Sequence, residues 1–302
     1  MTEELRIRNL SVPTGPVDVV LDTDTFNEID DQFALAYLLR SKEKLNTKAI
    51  YAAPFLNDRS VSAADGMEKS YNEILKLLSL MNETADVFRG SEQFLSDEKT
   101  PVLSSAAQDL AKRANAYSPE QPLYIIAIGA ITNIASAILL NPAVAENTVL
   151  VWLGGHALHY HNTNEFNMRQ DVAAARVVMQ SGIPFVQLPC MGVVSAFTVS
   201  KPELEFWLKG KNPLADYLAE NTIQKAESYA KGTAWTRSIW DVTAVAWLLN
   251  DDDRFMLSRL IATPLPSYDN YYSLNPQSPL MRYVYHIKRD QLMTDLFRKL
   301  ID

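Results

Sequence analysis

The stretch Val17-Asp18-Val19-Val20-Leu21-Asp22-Thr23-Asp24-Thr25-Phe26-Asn27-Glu28-Ile29-Asp30-Asp31-Gln32 passes from an apolar run, through a dense set of carboxylates, into a helical pattern. The short β-branched run Val17–Leu21 predicts a buried strand, and Gln32–Arg40 predicts a helix. Between them Asp22, Asp24, Glu28, Asp30 and Asp31 place five carboxylates within ten residues. At the carboxyl end of a strand such groups repel one another unless a cation or shared protons offset the charge. A hard divalent cation suits them, since calcium takes about 6–8 oxygen ligands, carboxylates and carbonyls included. Asp30 and Asp31 taken alone would also fit a helix start, where a carboxylate meets free N–H groups and the helix dipole. Asp22 and Asp24, alternating at the strand end, favour a site.

The same strand-then-helix order continues along the chain. Lys48–Ala53, Leu123–Ile128, Val149–Leu153 and Pro184–Leu188 read as further buried strands, and Ser60–Leu80, Thr132–Leu140, Asp171–Ser181 and Asp241–Leu249 as helices. In the longest of these, Val61, Ala64, Met67, Tyr71, Ile74, Leu75 and Leu78 recur at helical spacing and predict one apolar face. Near-continuous apolar strands alternating with helices predict an α/β fold: a Rossmann-like, mostly parallel sheet with helices on both faces. Ligands in such folds sit outside the carboxyl ends of the strands. No internal repeat or linker splits the 302 residues, so a single domain over 1–302 is expected. The tract 201–285, with Pro264, Pro266, Pro276 and Pro279, reads as a loop-rich cap or rim.

Composition narrows the function classes. With 47% hydrophobic residues the chain can build a core, and 36 acidic against 28 basic residues, net −8, leave no basic footprint for nucleic acid. Cys190 is the single cysteine and cannot form an intrachain disulfide. The opening MTEELRIRNL has no signal-peptide core, and no run of about 18 apolar residues follows. A cytoplasmic protein acting on a small molecule, away from membranes, is the expectation.

Several motifs then follow in order: Ile125-Ile126-Ala127-Ile128-Gly129 with Thr132-Asn133; Val151-Trp152-Leu153-Gly154-Gly155; Asn164-Glu165-Phe166-Asn167; Asp171 before Ala173-Ala174; Ser181-Gly182-Ile183-Pro184; and Trp240-Asp241 ahead of Val242-Thr243-Ala244. Together with the opening Asp-x-Asp and Asp-Asp, this series over about residues 17–250 resembles the inosine-uridine-preferring nucleoside hydrolase family. The resemblance implies a calcium-dependent N-ribohydrolase that splits a ribonucleoside into ribose and base, working as a homodimer or homotetramer. It implies that Asp24, Asp31 and Asp241 hold Ca2+ by side-chain oxygens, with the Ile128 carbonyl as a further ligand. Asp24 would also take the proton of the attacking water. Asp30, Asn57, Glu165 and Asn167 would clamp the ribose hydroxyls, with Asn164 or Asn162 joining them, and Asp22 would orient a ligand from behind. Read without the resemblance, Asn164–Asn167 is a polar turn and Asp171 a helix cap.

This chain departs from the family pattern at two places. Thr25–Ile29 make the loop before Asp30 two residues longer, which brings in Asn27 and Glu28. Where many pyrimidine-preferring or broad-specificity members carry a His as leaving-group acid, this chain has Trp240, as the purine-preferring members have an aromatic ring that stacks on the base. Trp240 otherwise reads as core packing at a helix start, as do Trp152, Trp207 and Trp247, with Trp235 a weaker candidate for the site. The segment His156–His161 reads as a solvated loop in which one histidine could protonate a leaving base, and Cys190 as a buried thiol. Two other readings stay open at this point. Asp22-Thr23-Asp24 partly matches the haloacid-dehalogenase phosphatases, which would make Asp22 a nucleophile. A non-catalytic nucleoside- or ribose-binding protein would keep the metal site without turnover.

Overall fold

The computed structural model describes residues 1–301. Its centre is an eight-stranded sheet built from β1 (Val17–Thr23), β2 (Leu45–Ala52), β3 (Val87–Arg89), β4 (Leu123–Ala127), β5 (Thr148–Leu153), β6 (Phe185–Leu188), β9 (Met256–Ala262) and β12 (Leu280–Ile287). Two small pairs lie outside it: β7 (Thr198–Ser200) with β8 (Thr236–Ser238), and β10 (Leu265–Pro266) with β11 (Tyr272–Ser273). The order across the sheet is β3-β2-β1-β4-β5-β6-β12-β9. All neighbours run parallel except the edge pair β12 and β9. Chain order reverses between β1 and β4, so a crevice opens outside their carboxyl ends.

Strand residues point alternately to the two faces, and both faces are buried. Val19, Leu21, Ile126, Val151 and Val186 pack on one side with the helices Asp31–Leu39, Val242–Leu248 and Arg289–Ile301. Val20, Ile125, Leu150, Trp152 and Phe185 pack on the other with Thr132–Leu140 and Val172–Gln180. Two-sided burial is why these strands read as continuous apolar runs in the sequence. The expected fold class and single domain are the ones observed, with helices covering both faces.

The structure differs from the sequence reading in three respects. β1 extends through Asp22 and Thr23, so the first carboxylate belongs to the strand itself. The long helix spans Ala63–Met81, and Ser62, whose Oγ accepts from the Asp65 N–H, caps it. Val61 therefore falls outside the helix at 89% exposure, and Leu75 is 42% exposed, so the apolar face is narrower and runs through Met67, Ile74, Leu77, Leu78 and Met81. Within 201–285, β9 and β12 complete the central sheet, and the remaining chain includes the helix Pro213–Ala230. Both strands escape a pattern search because Arg259, Arg282, Tyr285 and His286 interrupt their apolar residues.

Candidate active site

Four aspartates converge at the crevice. Asp24 follows β1 directly, Asp30 and Asp31 open the helix Asp31–Leu39, and Asp241 precedes the helix Val242–Leu248. One oxygen each from Asp30, Asp31 and Asp241 lies within 4.8 Å of the others. The four are at most 4% exposed. Burial pushes all four carboxyls up, and the charges of the others add to it at Asp24, Asp30 and Asp241. Asp30 rises to about 7. Asp31 reaches only about 6, because Thr23, Asp241 and Asp24 hydrogen-bond to it, the Thr23 hydroxyl at 2.5 Å. Asp24 Oδ2 and Asp30 Oδ1 are buried without a hydrogen-bond partner. Unpaired anionic oxygens in a dry, crowded site fit a hard cation, which would satisfy them and offset their charge.

The chain around the cluster is shaped to it. Gly129, after β4, sits so close that a Cβ there would come within 3.2 Å of the Asp24 carboxyl and 3.1 Å of Ala53. The Ile128 N–H donates to the Asp22 carbonyl at 2.9 Å, while the Ile128 carbonyl accepts from Asn167 Nδ2 at 3.2 Å. Behind the cluster Asp22 is fully buried, accepts from Asn133 Nδ2 at 2.8 Å and rises to about 7 through burial. It lines no part of the cavity, so it cannot act as a phosphoryl nucleophile.

A cavity of about 310 Å³ opens on the aspartates, with Asn27, Glu28, Asn57, Ile128 and Leu153 among its walls. His156, Asn164, Glu165, Phe166, Asn167, Arg169, Cys190 and Trp240 complete it. Its size suits a small organic ligand. A larger open groove of about 860 Å³, bordered by Arg8, Asp18, Tyr117 and Glu120, lies at the amino ends of β1 and β4 and lacks such a cluster.

The sequence profile of the inosine-uridine preferring nucleoside hydrolases matches residues 19–271. The chain belongs to this family. It is an N-ribohydrolase, which hydrolyses the N-glycosidic bond of ribonucleosides. The pyrimidine-specific ribonucleoside hydrolase RihA of Escherichia coli O1:K1 is 26% identical to it over 264 residues, covering 78% of this chain and 80% of RihA. A solved plant nucleoside hydrolase shares the fold with a TM-score of 0.74 at 18% identity, over 95% of this chain and 99% of its own. The purine-preferring ribonucleoside hydrolase of Gardnerella vaginalis does so with a TM-score of 0.74 at 18% identity, over 94% and 98%.

Of the site residues expected in this nucleoside hydrolase, Asp24, Asp30, Asp31, Asn57, Ile128, Asn164, Glu165, Asn167, Trp240 and Asp241 line the one cavity, while Asn162, offered beside Asn164, accepts from the Asn164 N–H at 2.9 Å outside it. The grouping differs in detail. Asp30, expected on a ribose hydroxyl, is the third member of the tightest carboxylate cluster, and its Oδ2 accepts from the Asp241 N–H at 3.3 Å. Glu165 is an N-cap as well as a wall residue, accepting from Gly155, Asn167 and Met168 N–H groups, each at 2.9 Å. Asp171 is the helix cap that the plain reading expected, accepting from Ala174 N and from Thr132 and Leu95. The longer loop turns Glu28 toward Arg237, with which it forms an ion pair. Its Asn27 accepts from Asn57 Nδ2 at 2.6 Å.

Two further wall residues, His156 and Cys190, read differently in the sequence. His156 was grouped with a solvated loop, yet it is 8% exposed, while His159 and His161 lie outside. The loop doubles back so that Met191 N–H donates to His156 Nδ1 at 3.3 Å and Ala157 N–H to the Met191 carbonyl at 2.9 Å. Burial lowers the His156 pKa. Cys190 reaches the same wall, where burial and the charges of Glu165 and Asp30 push its thiol up. Such a thiol is no nucleophile. Neither position is marked by local pattern, since both depend on how two loops pair. No helix is long and apolar enough to cross a membrane among the described residues.

Proposed function

We propose that this enzyme is a calcium-dependent N-ribohydrolase with a preference for purine ribosides. The observation that carries the proposal is the convergence of Asp24, Asp30, Asp31 and Asp241, all buried and two of them, Asp24 and Asp30, with an unpaired oxygen, on a cavity that Ile128 and the Trp240 indole also line. Carboxylate and carbonyl oxygens suit calcium better than a soft metal. Asp24, Asp31, Asp241 and the Ile128 carbonyl would hold it, with Asp30 beside them. When bound, the cation offsets the carboxylate charge and makes water at the site more acidic. Asp24 takes the proton of the attacking water as general base. Asp30, Asn57, Asn164, Glu165 and Asn167 grip the ribose hydroxyls, with Glu and Asp as acceptors and Asn in either role. Glu165 is held rigid by three backbone N–H groups, and Asn167 by donation to the Leu153 and Ile128 carbonyls. Trp240 stacks on the base. The assembly we infer is a homo-oligomer, a dimer or tetramer.

A ribose-release assay over inosine, guanosine, adenosine, uridine and cytidine, run with calcium and with a chelator, tests the reading. Release should stop on chelation, return with calcium and be faster for purines. Release that ignores the chelator overturns the calcium assignment, and ligand binding without release overturns the catalytic one.

A further inference from the structure

The hairpin of β10 and β11 lies outside the central sheet, in the tract that reads as a rim, yet one of its side chains reaches the back of the active site. Arg176 Nη1 anchors the hairpin by donating to the Pro266 carbonyl at 2.8 Å. Near the hairpin tip the Asn270 carbonyl accepts from the Thr163 N–H at 2.7 Å, and the Thr163 carbonyl accepts from the Glu165 N–H at 2.7 Å. Opposite Pro266 in the hairpin register stands Tyr272, with its ring half-buried. Burial first, and the charge of Glu165 with it, push this phenol up, so it stays a neutral hydroxyl. Its oxygen fills the space that a Cβ on Gly155 would need, and Gly155 takes a left-handed φ of +75°, so glycine alone fits against the phenol. Gln187, fully buried on β6, joins the two. Its Nε2 donates to the Tyr272 oxygen at 2.7 Å and to the Gly154 carbonyl at 2.9 Å. The N–H of the same Gly154–Gly155 peptide donates to Glu165 Oε2 at 2.9 Å. One amide plane is thus gripped at its oxygen by Gln187 and aims its hydrogen at Glu165.

We propose that Tyr272 is a positioning residue for the sugar: through Gln187 and the Gly154–Gly155 peptide it fixes the Glu165 carboxylate at the angle that receives a ribose hydroxyl. This rests on the reading of Glu165 as part of the ribose clamp. Without the phenol oxygen, Gln187 keeps a single bond, to the Gly154 carbonyl, and its buried Oε1 has no partner to resist rotation. The amide then turns, the peptide follows, and Glu165 loses the aim of one of its three N–H donors. A carboxylate held by fewer charge-assisted bonds meets the hydroxyl in a looser geometry. Its contact is the same before and during bond cleavage, so the loss falls on KM and not on kcat. The hairpin is in this way a specificity element of the site, supplied from beyond the last acidic residue that faces the cavity.

The test uses the calcium-loaded enzyme with inosine and its 2′-, 3′- and 5′-deoxy analogues, measured as competitive inhibitors of nitrophenyl riboside hydrolysis and as ligands by tryptophan fluorescence. Glu165→Gln should weaken inosine and spare the analogue that lacks the hydroxyl Glu165 holds. Tyr272→Phe keeps the ring and removes only the oxygen. It should weaken inosine about fivefold, the order expected for one hydrogen bond, and spare the same analogue. For the nitrophenyl riboside KM should rise with kcat changed less than about twofold. Added to Glu165→Gln it should cost nothing more, since both changes act on one contact. Gln187→Met cuts the relay at its middle link and should reproduce the pattern; with denaturant melts on each variant, it decides the question if Tyr272→Phe does not fold. Equal weakening of all four ligands by Tyr272→Phe, losses that add in the double variant, or no loss at all overturns the proposal while the clamp stands. Glu165→Gln that weakens no ligand would instead remove the clamp reading, and the proposal with it.

Discussion

Stripping the cation and raising the pH should weaken this fold, by an amount set by its buried aspartates. Asp30 is held at about 7, from an ordinary 3.8, by burial and by the charge of Asp31. A carboxyl whose folded pKa lies above its unfolded one keeps its proton more tightly in the fold, so stability falls as pH rises between the two values. The contribution is complete below about 3.8 and gone above about 7. Exposed pairs such as Asp65 with Lys69 and Glu68 with Arg89 have carboxyls held below the usual range, so their effect runs the other way and is confined to more acidic solution. Between pH 5 and pH 8 the buried carboxyls lower stability as pH rises, while His156, whose pKa burial lowers, acts in the opposite sense. About two pH units of the Asp30 window lie above pH 5, at about 1.4 kcal/mol each, or about 3 kcal/mol if the coupled aspartates count once. For a chain of this length that is about 5 °C in Tm. Scanning calorimetry of the chelated protein should show the lower Tm at pH 8. Added calcium should raise Tm more at pH 8 than at pH 5, because protons compete for the same oxygens, and Asp30→Asn should reduce the metal-free difference, with Asp22, also held at about 7 by burial, supplying part of what remains. A metal-free Tm that is equal or higher at pH 8 would refute the idea that these carboxyls are desolvated together.

Other perturbations separate the roles. Asp31→Ala or Asp241→Ala should abolish calcium binding in titration calorimetry while the metal-free protein stays folded, since loss of a mutually repelling carboxylate offsets part of the lost packing; unchanged affinity in both would remove them from the metal site. Asp24→Asn should lower kcat by about 10²–10⁴ with a smaller change in KM, because an amide can still face the site but cannot take a proton. Trp240→Ala should cost purine ribosides the equivalent of about 1–3 kcal/mol in kcat/KM, and a nitrophenyl riboside less; equal losses on all substrates would make the indole scaffold. Asn133→Leu leaves Asp22 buried without its one side-chain partner, and should destabilise by about 1–3 kcal/mol in a denaturant melt. An unchanged midpoint would mean that Asp22 needs no partner.

Much of this protein was legible in one dimension. β1, β4 and β5 are covered on both faces, so Val19–Leu21, Leu123–Ala127 and Val149–Leu153 are apolar runs, and the alternation with helices then admits few topologies. The opening acidic stretch reads as a site because so many carboxylates in one loop demand a compensating charge, and the spaced motifs after it carry the family. β9, at the sheet edge, and β12 beside it do not show in the same pattern, because Arg259, Arg282 and Tyr285 interrupt their apolar residues.

Tertiary structure decided what distance along the chain cannot express. Asp241 lies 211 residues from Asp30, yet its N–H reaches the Asp30 carboxylate, which puts Asp30 in the tightest cluster. Glu28 finds Arg237 across the mouth of the site, and His156 with Cys190 enters the wall because the loops after β5 and β6 hydrogen-bond to each other. A residue's type and local spacing set what chemistry it can do and which element it occupies. Its neighbours at a strand end come from separate crossovers, and only their packing on the sheet determines which charges meet, how dry they are and how far their pKa values move.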